Sequence, residues 1–82
     1  MNKARIRMSR DQRKNYIYAR VAEACQNASR GPSASEIAAL VGLARTPYLL
    51  DLLEQLVYEG ALDWRLDVLP GGWVAKTYFP AA

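Results

Sequence analysis

The fold of this chain is constrained most by one segment, SASEIAALVGLARTPYLLDLLEQLVYEG. Ser33 and Glu36 at its start have the spacing of a capping box, in which each side chain accepts a hydrogen bond from the other residue's backbone N–H. Gly42 stands where a helix end needs a left-handed residue. Thr46 and Pro47 then predict a new helix start, since threonine caps the helix and a first-turn proline costs no hydrogen bond. We therefore predict two helices joined by a tight turn.

The second of these helices carries leucines at helical spacing, one above the other on a single face. They are Leu49, Leu52, Leu53 and Leu56. The small Ala38 in the first helix allows the two helices to cross closely, and Gly60 ends the second helix. This arrangement is typical of a helix-turn-helix.

Further elements are predicted on both sides of this pair. Ser9 and Gln12 form another capping-box pattern, which predicts a helix from about Arg10 to Ala28. After the pair, apolar and polar residues alternate over 62–68 and again over 73–79, on either side of a Pro-Gly-Gly turn. The predicted fold is mainly α with a small β part. It is a three-helix winged helix-turn-helix with a C-terminal two-stranded β-hairpin, the wing.

The register of the hairpin can be predicted by assuming a two-residue loop, Gly71-Gly72. This register places opposite charges on one face and apolar residues on the other. The predicted pairs are Asp67 with Lys76, Arg65 with Tyr78, Trp64 with Phe79 and Val68 with Ala75.

Length and composition limit the class of protein. The 82 residues predict one domain, and the 51% hydrophobic content predicts a folded chain. Cys25 is the only cysteine, which excludes an internal disulfide and favours a reducing compartment. No apolar run is long enough for a membrane span or a signal peptide. We therefore expect a cytoplasmic protein without a membrane partner.

Charge is distributed unevenly along the chain. Residues 1–30 contain eight basic and two acidic residues, whereas residues 31–82 contain three basic and six acidic residues. We expect residues 1–8 to form a flexible basic arm and residues 9–82 to form the winged helix-turn-helix domain. A basic arm suits a polyanion, of which nucleic acid is the commonest. The alternative is a solvated leader that only improves solubility.

The segments GPSASEIAALVGLARTP and LEQLVYEGAL resemble the winged helix-turn-helix superfamily of transcriptional regulators. Within that superfamily the chain is similar to the DNA-binding domain of LexA-type repressors. The resemblance implies transcription regulation through double-stranded DNA, with the second helix of the pair entering the major groove. By position, base contacts would then fall to residues around the start of that helix and along its outward face: Arg45, Thr46, Tyr48, Asp51 and Gln55.

Phosphate contacts would come from cations before the helix pair: Arg5, Arg7, Arg10, Arg13, Lys14 and Arg20. Arg65 and Lys76 on the wing, with an exposed Trp73 or Tyr78, would reach a groove. The other interpretation of these wing residues is a cross-strand salt bridge with packed aromatic rings.

Two carboxylates depart from the DNA-binding pattern. Asp51 and Glu54 lie on the outward face of the second helix, where phosphates would repel them. An alternative function is therefore a protein-interaction adaptor. Its partner-binding surface would consist of Leu50, Asp51, Glu54 and Tyr58. The sequence does not decide whether the chain forms a homodimer.

Catalysis has no support in the sequence. The chain lacks histidine, metal-ligand spacing and a glycine-rich phosphate loop. We therefore predict a non-enzymatic protein with no catalytic residue, no metal and no cofactor.

Overall fold

The computed structural model describes residues 8–82 and contains three helices followed by two strands. The elements are α1 Arg10–Gln26, α2 Ala34–Val41, α3 Pro47–Tyr58, β1 Leu62–Val68 and β2 Val74–Pro80. The predicted three-helix fold with a hairpin wing is confirmed. The predicted end of the first helix at Ala28 is wrong, because the backbone leaves the helical region at Asn27.

The capping patterns form as predicted and fix where the helices start. Ser9 and Gln12 bond reciprocally at α1, and Ser33 and Glu36 do the same at α2. The Thr46 hydroxyl accepts from the N–H of Leu49, 3.3 Å away, at the start of α3. These bonds satisfy backbone donors that have no partner inside the helix.

The core lies between the three helices and the base of the wing. Its fully buried apolar members come from every helix and from β1, and the leucine face of α3 contributes more of them than any other element. They are Ile17, Val21, Ile37, Leu49, Leu52, Leu53 and Leu62. The wing therefore holds its position through the helical core, since an isolated hairpin is marginal in water.

The base of β2 is joined to the segment between α1 and α2. Ser33 forms a β-bridge with Thr77, and the Pro32 carbonyl accepts from the N–H of Tyr78 at 2.9 Å. Gly31 packs so closely here that a Cβ atom at this position would lie 1.8 Å from the Tyr78 carbonyl oxygen. Only glycine fits such a close backbone approach.

The predicted register of the hairpin is wrong by one residue. The N–H of Leu69 donates to the carbonyl of Trp73 at 2.7 Å, so the loop has three residues, Pro70, Gly71 and Gly72. The Leu69 carbonyl accepts from Gly72, with Pro70 and a positive-φ Gly71 at the positions that favour a type II turn. The observed pairs include Trp64 with Tyr78, Arg65 with Thr77, Leu66 with Lys76, Asp67 with Ala75 and Val68 with Val74.

Candidate functional site

The exposed face of α3 and the wing enclose a groove of about 560 Å³. From α3 it is lined by Asp51, Glu54 and Tyr58, and from the wing by Trp64 and Lys76. A helix-turn-helix would present this side of α3 to a ligand. The groove therefore combines carboxylates from the helix with an aromatic ring and a cation from the wing.

Arg10 of α1 lies directly on this face of α3. Its Nη2 atom is 2.6 Å from Oδ2 of Asp51, and its Nε atom donates to the Gln55 side-chain oxygen at 2.9 Å. The Gln55 amide nitrogen donates in turn to Glu59 at 3.1 Å. Asp51 is therefore paired with a cation of the same domain. Both ends of the Gln55 amide are also already bonded.

The sequence suggested that Lys14 lies on a free cationic surface, but the structure places it elsewhere. It is only 7% exposed, and its Nζ atom is 2.6 Å from Oε2 of Glu59. The hydrogen bond from Lys14 lowers the pKa of Glu59 below its ordinary value. A buried lysine needs such a partner, because an unpaired charge would be costly to desolvate. Lys14 therefore joins α1 to the end of α3 and is not available to a phosphate.

The start of α3 presents an exposed cation and an exposed aromatic ring. Two guanidinium groups contact the Tyr48 ring, with Cζ of Arg10 5.8 Å and Cζ of Arg13 5.9 Å from its centroid. Arg45, just before the helix, is exposed to solvent. The Thr46 hydroxyl is used as the helix cap. Of the predicted base-contacting residues, Arg45 and Tyr48 therefore have the most accessible polar groups.

Arg45 also lines a second groove, of about 470 Å³, between the start of α2 and the wing. Leu50, Glu54 and Lys76 line it too, and Tyr78 lies at its base. Of the two aromatic residues offered as exposed on the wing, Tyr78 is buried and Trp73 is exposed. Burial and the nearby Glu54 carboxylate raise the pKa of the Tyr78 hydroxyl. Glu54 borders both grooves.

The predicted wing cations have different partners from those expected. Arg65 bonds to Asp67 on its own strand at 3.0 Å and to the Ser29 carbonyl at 3.4 Å. The Lys76 ammonium lies 4.3 Å from the centroid of the Trp64 ring, a cation–π contact. The predicted cross-strand pair of Asp67 and Lys76 is wrong because the register differs.

The predicted partner-binding residues are divided between the two grooves. Asp51 and Tyr58 lie in the first and Leu50 lies in the second, while Glu54 is shared. Tyr58 is 92% exposed. Within residues 8–82, no lysine or arginine lies within ion-pair distance of Glu54. Glu54 is thus the carboxylate on this face that the domain does not neutralise.

The net positive charge of the chain lies outside the described residues. Residues 1–7 contain three of the eleven Lys and Arg residues and no acidic residue, so residues 8–82 contain eight of each sign. The predicted phosphate contacts Arg5 and Arg7 lie among residues 1–7 and are not described. This segment joins the domain at Met8, which lines a small pocket with Arg13 and Leu43.

The sequence interpretation missed a broad exposed apolar surface on the outer wing. Leu66, Val68, Trp73 and Val74 are all exposed. Their alternation suggested a half-buried strand, but the helices cover only the base of the hairpin. No local sequence signal shows how far along the hairpin the helices pack.

Comparisons with protein-family models, curated proteins and solved structures find no match to this chain. No helix within residues 8–82 has the length and apolar character needed to cross a membrane.

Proposed function

We propose that this chain is a small, non-enzymatic DNA-binding protein of the winged helix-turn-helix type that acts in transcription regulation. The observation that carries the proposal is the contact of Arg10 with Asp51 and Gln55. It holds the first turn of α1 on the outward face of α3. In sequence, the basic segment 1–7 comes directly before this turn, and α3 is the helix that would enter a major groove.

The same contacts reduce the electrostatic objection to DNA binding. Asp51 is paired with Arg10, and Glu59 is paired with Lys14. Glu54 remains as the carboxylate that would face phosphates. The long-range attraction would come from the arm, because counterion release depends on cations that meet phosphates and are not bonded within the protein.

Specificity would come from the start of α3. Arg45 is exposed, and a guanidinium can bond to both acceptors on the guanine edge. Tyr48 makes cation–π contacts with Arg10 and Arg13, which would hold all three groups against the backbone of the duplex. Gln55 contributes only if it releases Arg10 and Glu59, so we assign it a minor role.

Binding of a fluorescent duplex, selected from a random library at low salt, tests this proposal. The double variant Arg5→Ala/Arg7→Ala should reduce the slope of log Kd against log salt by about two. Arg45→Ala should weaken the selected duplex by about 1–3 kcal/mol and relax the preference at one base position. The control is Arg20→Ala, because Arg20 is already paired with Glu23 and lies about 15 Å beyond Arg10 along α1. No duplex retained at low salt, or equal effects from Arg20→Ala and the arm variant, would contradict DNA binding.

One observation favours a protein partner as a second candidate. Glu54 has no ion-pair partner among residues 8–82, and the nearly fully exposed Tyr58 lies on the same groove, a combination suited to an interface with a basic protein. Glu54→Lys distinguishes the two functions. It should strengthen DNA binding if the first proposal holds and weaken binding of a basic peptide if the second holds. Glu54 suits this test better than Asp51, because reversing Asp51 would also release Arg10.

A further inference from the structure

The outer edge of β1 is an unpaired strand edge. β2 lies between β1 and the bridge residue Ser33, whereas β1 has β2 as its only neighbour within residues 8–82. In an antiparallel ladder, hydrogen-bonded residue pairs alternate with pairs that are not hydrogen-bonded, and the bond between Leu69 and Trp73 shows which pairs are which. By that alternation, the backbone groups of Trp64, Leu66 and Val68 point away from β2. The N–H of Trp64 confirms this direction, because it donates to the Asp63 carboxylate and not to β2.

The residues with outward backbone groups also carry the exposed apolar side chains of the wing. Leu66 is 62% exposed and Val68 is 70% exposed. Natural proteins protect such edges with lysine, proline or a bulge at the edge positions. At Leu66 and Val68 none of these is present, and the edge offers both backbone hydrogen bonds and apolar surface to a further strand.

We propose that a second copy of this chain pairs with this edge, β1 against β1 in antiparallel orientation, to form a four-stranded sheet. Leu66 lies opposite Leu66 of the second copy, and Trp64 lies opposite Val68. Arg65 then lies opposite Asp67 of the second copy. Because the contact has two-fold symmetry, it contains two such pairs. Opposite charges and apolar pairs each stabilise an antiparallel ladder at such positions.

The charge pattern of β1 indicates a second copy as the partner. A two-fold axis through Leu66 reverses the order of Arg65 and Asp67, so the strand is its own electrostatic complement. Moving the axis to Arg65 would place Arg65 opposite itself and Asp63 opposite Asp67, and both like-charge pairs are unfavourable. Moving it to Trp64 would bring in Leu62, which is buried against the helices. The register centred on Leu66 is therefore preferred.

Two charge variants of the full chain test this register. In Arg65→Asp the introduced aspartate would face Asp67 of the second copy, and in Asp67→Arg the introduced arginine would face Arg65 of the second copy. Because each variant pairs like charges with itself, each alone should dissociate at least about tenfold more readily than the parent. Mixed together, they restore two opposite-charge pairs and should form a one-to-one heterodimer. Both variants lose the internal Arg65–Asp67 bond equally, so that bond cannot explain recovery in the mixture.

Sedimentation equilibrium is the measurement, with circular dichroism to show that each variant is folded. Leu66→Pro removes one outward N–H without removing a bond to β2, and it should also give a monomer. Val74→Lys is the control, because Val74 lies on the same face but one strand away from the edge. It should leave the dimer intact. The proposal would be overturned if the parent were monomeric or if the charge variants stayed dimeric. It would also be overturned if the folded mixture stayed monomeric or if Val74→Lys dissociated the dimer. Loss of DNA binding with the dimer intact would contradict only the proposed function.

Discussion

The base of the wing and its outer half have the same alternating sequence but opposite environments. At the base, Leu62, Thr77 and Tyr78 are buried and belong to the helical core. In the outer half, Leu66 and Val68 are exposed on the same strand. One strand thus contributes to the core at one end and leaves the other end exposed for the association that we propose. Substitutions at the base should therefore change stability, and substitutions in the outer half should change association.

Gly31→Ala should have the largest effect on the base. Its Cβ atom would overlap the Tyr78 carbonyl oxygen, which is backbone and cannot rotate away. We expect a loss of about 3 kcal/mol or more in the free energy of unfolding. Chemical denaturation followed by circular dichroism measures it.

Gly72→Ala provides the matched control at the other end of the wing. Gly72 has φ of 88° but no atom within 4 Å of an added Cβ, so only backbone strain opposes alanine. We expect a cost of about 1–2 kcal/mol. If both substitutions had the same cost, the close approach at Gly31 would not be what secures the wing.

Leu62→Ala should have the next largest effect. Leu62 is fully buried, so truncation leaves a cavity in the core and should cost about 2–4 kcal/mol. The same truncation at the exposed Leu66 should change stability by less than about 0.5 kcal/mol. Denaturation at low protein concentration separates this effect from association. Equal losses at the two leucines would remove the distinction between the ends of the strand.

Most of the fold could be predicted because its signals are local. The capping boxes need residues three apart, and the turn at Gly42 needs one positive φ. The ion pair of Lys14 with Glu59 could not be predicted, because it joins residues 45 positions apart and depends on how α1 packs on α3. The register could not be predicted from side-chain charges alone. It was set by the type II turn, whose three-residue loop outweighed the pairing of Asp67 with Lys76.

The candidate site was predictable only in part, for the same reason. The exposure of Arg45 and Tyr48 follows from their positions at the start of α3. The occupation of Gln55 by Arg10 depends on contacts between helices and has no local signal. The exposure of the outer wing depends on how far the helices pack along the hairpin. The alternation of apolar and polar residues contains no information about that distance.

The smallest expected effect concerns the loop that brings Gly31 to the base of the wing. Arg30 in this loop bonds to Glu36 through two hydrogen bonds, of 2.7 and 3.0 Å. The hydrogen bond from Arg30, helped by the N–H of Ser33, lowers the pKa of Glu36 to about 2. Because the folded pKa is lowered, this carboxylate stabilises the fold above its ordinary pKa of 4.5. That contribution is lost as the pH falls from 4.5 towards 2.

Glu36→Gln removes this titration but keeps an oxygen that accepts from the Ser33 N–H. Since the carboxylate is nearly half exposed, solvent screening limits the contribution to about 1 kcal/mol. Between pH 5 and pH 2 the parent should therefore lose about 1 kcal/mol more stability than the variant, as measured by urea denaturation. Arg30→Met should flatten the profile in the same way, because it removes the donor that lowers the pKa of Glu36. Parallel profiles for the parent and Glu36→Gln would show that the loop is held by the Gly31 contact and not by its ion pair.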